Sequence, residues 1–255
     1  MRGRTRSTVA SENVGPAGLF FDLGDTLVDL RGLGPVMARE IAQRFAIHGR
    51  KVEMLVSDWV VGTADATAKT QGRFVPGVQI AGTVLRNVLA ELNIALPLPH
   101  AVELVRTAWT GYLPAAKFHD DVTLGLLRGL RHRVERMGII TDSDTSMVNP
   151  LLDRLGIRGL FDVVVVSDSV HAYKPNARIF MAALKGGRAQ DSVFVSNSRV
   201  DLEGAKAVGM EAVWLRRAGQ TDREPSPTAH VIDDLRKLPE LLDRVKHPGS
   251  RRVRG

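Results

Sequence analysis

From Gly18 onward, short apolar runs alternate with stretches of helical spacing. Leu19-Phe20-Phe21 precedes Asp22, and Met137-Gly138-Ile139-Ile140 precedes Thr141. Val163-Val164-Val165-Val166 leads into Ser167-Asp168, Val193-Phe194-Val195 into Ser196-Asn197, and Ala212-Val213-Trp214-Leu215 into Arg216-Arg217. Unbroken apolar runs of this length suit strands that are covered on both faces, as in a parallel sheet. Between them lie helical stretches such as residues 176–184 and 202–208. Strand and helix in repetition predict an α/β fold built on a doubly wound parallel sheet.

One interval breaks the rhythm. Residues 35–115 contain no strand pattern, only amphipathic stretches at about 36–46, 52–69, 78–92 and 101–112. Pro35, Pro76-Gly77, Pro97 and Pro114 punctuate them as helix boundaries do. The pattern predicts an inserted α-helical cap after the first strand. The expected division is an α/β core from residues 18–31 and 119–245, a helical cap at 32–118, and flexible basic tails at 1–17 and 246–255.

Length and composition agree with this picture. A chain of 255 residues accommodates one large domain, or a core with a smaller insert. Its 44% hydrophobic and 25% charged residues are those of an ordinary globular chain. No apolar run approaches the ~18 residues of a membrane span, so no membrane partner is expected. There is no cysteine, which excludes disulfides, thiolate metal ligands and cysteine nucleophiles together and fits a cytoplasmic protein.

The net charge of +7 sits at the ends. Arg2, Arg4 and Arg6 lie in an acid-free start, and Arg244, Lys246, Arg251, Arg252 and Arg254 in an acid-free finish. These charges exceed the whole excess, so the chain between them is close to neutral. No aromatic residue is interleaved with them for base stacking, so they are read as solvated ends and nucleic acid is not expected as a partner. The first eleven residues also lack the apolar stretch of a secretory signal.

In an open parallel sheet, ligands bind at the carboxyl ends of the strands, so the polar residues that follow each apolar run carry the candidate chemistry. Those residues are Asp22; Thr141 and Asp142; Lys174; and Ser196, Asn197 and Asp201. Carboxylates, a hydroxyl and an ammonium converging on one edge can attack an electrophile, hold its anionic oxygens and bind a divalent cation. The seven histidines show no metal-type spacing. Trp59 and Trp109 are expected to pack the cap, within reach of a substrate.

Four segments, FFDLGDTLVDL, GIITDSD, HAYKPNARIF and VFVSNSRVDLEGAKAVGM, occur in this order. Together they resemble the motifs of the haloacid dehalogenase superfamily, in the branch whose helical cap follows the first motif. The resemblance runs from Gly18 to about Val245. It implies that Asp22 is the nucleophile, that Thr26 supports it, and that Thr141 and the Asp142 amide hold the transferring group. It further implies that Lys174 neutralises Asp22, and that Asp22, the Gly24 carbonyl, Asn197 and Asp201 hold Mg²⁺. Ser196 and Asn197 line the same strand end in this comparison.

Two positions depart from the family's phosphatases. Gly24 stands where they usually carry the acid–base aspartate, which leaves Asp25, one residue on, as the candidate acid. Ser196-Asn197 replaces their usual Gly-Asp, which removes a carboxylate from the metal site. The expected activity is Mg²⁺-dependent hydrolysis of a small phosphorylated metabolite through an aspartyl-phosphate. The alternatives are a metal-independent hydrolase of the dehalogenase kind and a catalytically impaired protein that binds a ligand or partner. Asp22 and Lys174 are expected to approach within ~4–6 Å, the range in which opposite charges shift one another's pKa.

Overall fold

The computed structural model describes residues 16–70, 73–218 and 230–244. The two basic tails expected from the sequence lie, apart from Pro16 and Ala17, outside them. Six strands form one parallel sheet: β1 (Gly18–Phe21), β2 (Arg136–Thr141), β3 (Val163–Val166), β4 (Ser192–Ser196), β5 (Glu211–Leu215) and β6 (His230–Ile232). Their spatial order is β3-β2-β1-β4-β5-β6. The chain winds outward from β1 in one direction and then returns to wind in the other. The order therefore reverses between β1 and β4, and the crevice at their carboxyl ends is where such sheets take ligands.

The strand sequences explain their double burial. Successive side chains point to opposite faces, so Leu19 and Phe21 join one buried cluster while Phe20 joins the other. Val193 and Val195 divide from Phe194, and Val213 and Leu215 from Ala212 and Trp214, in the same way. The second face is covered by α8 (Ala177–Leu184) and α9 (Arg199–Ala207), through Ile179, Phe180, Leu202 and Ala205. The first is covered by α5 (Leu124–Arg131), α6 (Thr145–Arg154) and α10 (Leu238–Arg244), through Leu127, Leu130, Leu151, Leu152 and Leu242. A short α7 (Ser167–Val170) follows β3 directly.

The insert after β1 consists of α1 (Leu33–Phe45), α2 (Arg50–Ala68), α3 (Gly77–Ala90) and α4 (Leu98–Tyr112). Each presents apolar residues three or four apart, such as Ala101, Leu104, Val105, Ala108, Trp109 and Tyr112 in α4, and these build the cap's own interior. Pro76 and Pro97 sit at the N-caps of α3 and α4, where a missing N–H costs nothing. The two crossings between core and insert run side by side. Asp29 N donates to the Lys117 carbonyl at 3.0 Å, and His119 N to that of Leu27 at 3.2 Å. Among the described residues no helix is long and apolar enough to cross a membrane.

The sheet's last strand is not legible as an apolar run, because β6 is three residues long with Val231 half exposed. Helix α9 begins three residues before the expected stretch, since Ser198 caps it by accepting from Asp201 N at 3.4 Å.

Close packing ties α9 to the turn that follows Lys174. A Cβ on Gly204 would stand 2.8 Å from Pro175 Cα and 2.8 Å from Phe180 Cε2. Backbone cannot yield there without moving Lys174. Gly204→Ala is therefore expected to destabilise by about 1–3 kcal/mol, the usual cost of overpacking. In a chain of this size each kcal/mol lowers the melting temperature by about 2–4 °C. An unchanged melting temperature would show that the helix has room to shift.

Candidate active site

The sheet brings the strand-end residues into one buried network. Asp22, one residue beyond β1, is anchored by its own N–H on the Val195 carbonyl of β4 at 3.0 Å. Its Oδ1 accepts from Lys174 Nζ at 2.6 Å, and its Oδ2 accepts from Thr26 Oγ1 at 2.9 Å. Lys174 Nζ also donates to Asp201 Oδ2 at 2.6 Å, and Ser196 Oγ donates to the same oxygen at 3.2 Å. The Thr26 hydroxyl lies 3.1 Å from Asn197 Oδ1 and accepts from Asn197 N at 3.2 Å. Lys174 is therefore closer to Asp22 than the ~4–6 Å expected, because a second carboxylate draws the ammonium in from the other side.

Burial decides the electrostatics. Asp22, Lys174 and Asp201 are each 7% exposed. Desolvation alone would lower the Lys174 pKa, but the carboxylates of Asp201, Asp22 and Asp142 outweigh it and hold the ammonium protonated. Burial pushes the Asp22 carboxyl upward, Lys174 pulls it down, and Asp201 adds to the rise. Burial likewise pushes the Asp142 carboxyl up to about 6, against the pull of Lys174. Asp142 Oδ1 accepts from Lys174 N at 2.9 Å and from Ser167 Oγ at 3.2 Å, so this carboxylate fixes the lysine turn.

A cavity of about 460 Å³ opens above this network, between the sheet edge and the cap. Asp22, Gly24, Asp25, Thr141, Asp142, Lys174, Asn197 and Asp201 all line it. Thr26 and Ser196 do not. Both are wholly buried, and they orient Asp22 and Asp201 from behind.

The departure at Gly24 has a steric counterpart. A Cβ there would stand 2.8 Å from Leu30 Cδ1, so a side chain at this position has first to displace the end of that leucine. Asp25 takes the left-handed backbone (φ 54°), which short polar residues tolerate better than most. Its Oδ1 accepts from Leu30 N at 3.2 Å. Asp25 also lies near Asp29 and His119, with one donor atom from each within 4.8 Å of the others. Asp29 is committed elsewhere: both its oxygens bond Arg31, which holds its carboxyl well below the usual range.

Three contacts involve side chains to which the sequence reading gives no binding role. Asp144 accepts from the amides of Gly77 and Val78 at 2.9 and 2.7 Å, so a core carboxylate satisfies the exposed N–H groups at the start of α3. Tyr173 Oη donates to the Val75 carbonyl at 2.8 Å, and Trp109 Nε1 to that of Met147 at 3.1 Å. All three fasten the cap over the cavity. Beneath it, Arg217 donates to the carbonyls of Asp25 and Thr26 at 2.9 and 2.8 Å and to both oxygens of Asp121. It thus pins the loop that carries Gly24. The only local signal for these contacts is that Asp144 and Tyr173 lie within the quoted segments GIITDSD and HAYKPNARIF.

Two outcomes follow. Arg217→Ala leaves Asp121 buried without its partner, which typically costs about 3–5 kcal/mol. Arg217→Lys restores the charge without the planar fork and should recover only part of the loss in melting temperature. Full recovery would mean that charge alone holds the loop. The second outcome concerns pH. Because the folded Asp142 pKa is raised, the native state binds its proton first, and stability from this group is lost as pH rises through about 6. Asp142→Asn should therefore melt higher than the natural protein at pH 8, measured with a chelator present, and the gap should close as pH falls towards 5. A gap that stays constant with pH would contradict this.

The site's setting is shared with known proteins. The family model of haloacid dehalogenase-like hydrolases matches residues 16–209. Phosphoglycolate phosphatase from Pseudomonas fluorescens is 30% identical over 236 residues, covering 89% of this chain and 80% of that protein. Glyceraldehyde 3-phosphate phosphatase from Pyrococcus furiosus is 30% identical over 235 residues, covering 89% and 92%. The L-2-haloacid dehalogenase structure from Xanthobacter autotrophicus superposes with a TM-score of 0.70 at 18% identity, over 89% of this chain and 98% of that one. The magnesium-bound HAD-hydrolase YfnB from Bacillus subtilis gives 0.75 at 15%, over 90% and 99%. At those identities the structures speak for the fold: a parallel sheet with a helical cap inserted after its first strand. With the family match extending over most of the chain, the protein belongs to the haloacid dehalogenase-like hydrolases.

Proposed function

We propose that the protein is a Mg²⁺-dependent phosphomonoesterase acting on a small phosphorylated metabolite, with Asp22 as nucleophile. The observation that carries this reading is the Asp22–Lys174–Asp201 bridge beneath the cavity, in which both oxygens of Asp22 are oriented by donors. Two phosphatases at 30% identity over most of their length support it.

The donor set suits a hard cation. Asp22, Asp201, Asn197 and the Gly24 carbonyl offer oxygen only, and all four residues line one cavity whose aspartates outnumber its single lysine. Asn197 Oδ1 retains a lone pair beyond the one facing Thr26. When bound there, Mg²⁺ supplies positive charge to the phosphoryl oxygens.

The chain's own groups do the rest. An Asp22 carboxylate oxygen attacks phosphorus, and the ester P–O bond breaks. Lys174 and the Thr141 hydroxyl offset charge on the phosphoryl oxygens. The departing alkoxide takes its proton from water or from Asp25, since Gly24 has none to give. Water then attacks phosphorus of the aspartyl-phosphate, releasing inorganic phosphate and returning Asp22 to its carboxylate.

A metal-independent reaction is the second reading. It is favoured by one observation: Lys174 already satisfies an oxygen of each carboxylate, so the pair is partly neutralised without a metal ion. Phosphate release from a panel of phosphate esters, with Mg²⁺ and with a chelator, separates the two. Release that persists undiminished in chelator would favour the second reading.

Asp22→Asn is nearly isosteric and should abolish turnover while leaving the melting temperature little changed. The natural protein should cleave aryl phosphates far better than alkyl ones, because general acid catalysis typically contributes 10²–10⁴-fold. Restoring the acid needs room, so the informative variant is Gly24→Asp combined with Leu30→Ala. Alkyl phosphates should then gain up to about 10²–10⁴-fold. Equal rates on alkyl and aryl phosphates in the natural protein, unaffected by Asp25→Asn, would reveal another acid.

A further inference from the structure

The cavity has two unlike ends. Its floor, at the strand ends, carries the polar network. The wall opposite, built by the cap and α6, is apolar and includes Trp59, Val78, Val105, Trp109, Val148 and Leu151. Both indole N–H groups are already spent on carbonyls, Trp59 Nε1 on Ala81 at 2.9 Å and Trp109 Nε1 on Met147 at 3.1 Å. The rings therefore offer the cavity carbon rather than donors. Thr67, also on this wall, donates its hydroxyl to the Thr63 carbonyl at 2.9 Å. The buried Thr63 hydroxyl has no protein partner, and leaves this wall an uncharged polar group suited to an alcohol rather than to an anion.

Charge on the lining is one-sided. Among the described residues that line the cavity, Lys174 is the only cation, and two carboxylates hold it at 2.6 Å. The other charged lining groups, Asp25, Asp142 and Asp144, are acids, and both oxygens of Asp144 are engaged by the amides of Gly77 and Val78. Arg106 of the cap is outside the lining and bonds the exposed Ser146 hydroxyl at 3.4 Å.

A leaving group bearing its own carboxylate or second phosphate would meet no free cation on this wall, and burying an unpaired anion is strongly unfavourable. An apolar leaving group would gain from the same surface. The volume of about 460 Å³ holds a phosphoryl group together with one ring or a short branched chain.

Resting on the phosphatase reading above, we propose that the substrate is the phosphate monoester of an uncharged, apolar alcohol of about ring size, selected by the Trp59–Trp109 wall. The reaction splits the P–O ester bond with one water, whose oxygen goes to phosphate and whose proton goes to the alcohol.

The test compares kcat/KM for benzyl phosphate, glycerol 1-phosphate, 2-phosphoglycolate and phosphocholine with Mg²⁺. All four release alkyl alcohols, so the ranking reads the wall rather than the basicity of the leaving group. Benzyl phosphate should exceed each of the others by at least about tenfold, the scale on which a hydrophobic pocket discriminates. Thr67→Arg, at a half-buried position on the wall, should move the benzyl to phosphoglycolate ratio at least about tenfold towards phosphoglycolate. Should that variant not fold, quenching of tryptophan fluorescence in Asp22→Asn reads binding instead: benzyl phosphate should quench at concentrations where phosphoglycolate does not. Phosphoglycolate or phosphocholine cleaved as well as benzyl phosphate would overturn the substrate assignment while leaving the phosphatase reading in place. Release from none of the four would overturn the substrate assignment, and failure to cleave an aryl phosphate with Mg²⁺ as well would overturn both.

Discussion

One ammonium shared between two buried carboxylates organises this molecule. Lys174 Nζ lies 2.6 Å from both Asp22 and Asp201, and each of the three side chains arrives from a different part of the chain. Asp22 follows β1, Lys174 follows the turn after β3, and Asp201 lies in the first turn of α9. Removing Lys174 would leave two carboxylates uncompensated in the interior, which is far costlier than losing a surface ion pair. The sheet order makes the meeting possible, because β1 and β4 are neighbours at the point where the winding reverses. Fold and chemistry therefore rest on the same contact.

Around that contact the structure adds constraint in layers. Thr26 and Ser196, both wholly buried, orient the carboxylates from behind. Asp142 holds the lysine turn through the Lys174 amide, and Arg217 holds the loop of Gly24 through two carbonyls. Above, Asp144 reaches across to the amino end of a cap helix and ties it to the core. The cap supplies apolar surface and the core supplies charge, and the cavity lies where the two meet.

The strand ends are legible in the sequence because an apolar run followed by a polar residue is a local pattern. Asp22, Thr141 and Ser196 stand where that pattern puts them, and the four cap helices fall within a few residues of their amphipathic stretches. Contacts between distant residues are not legible. Nothing near Asp121 announces Arg217, and nothing near Gly77 announces Asp144, because those pairings are created by the fold. Strand β6 is missed for a different reason: its three residues bury too little to write a hydrophobic signal. The substitution at Gly24 is readable, but its cause is not. Only the structure shows Leu30 Cδ1 standing 2.8 Å from where a Cβ at that position would be.

The central claim is that Asp22 itself becomes phosphorylated. The direct measurement is to mix the protein with Mg²⁺ and a phosphate ester, quench within a turnover, reduce with borohydride and map the chain by mass spectrometry. An acyl phosphate on Asp22 is reduced to the corresponding alcohol, homoserine, whereas a free carboxylate is not. The account expects homoserine at position 22, dependent on the ester and at no other aspartate. Phosphate released without any reduction at Asp22, or with reduction at another aspartate, would contradict it.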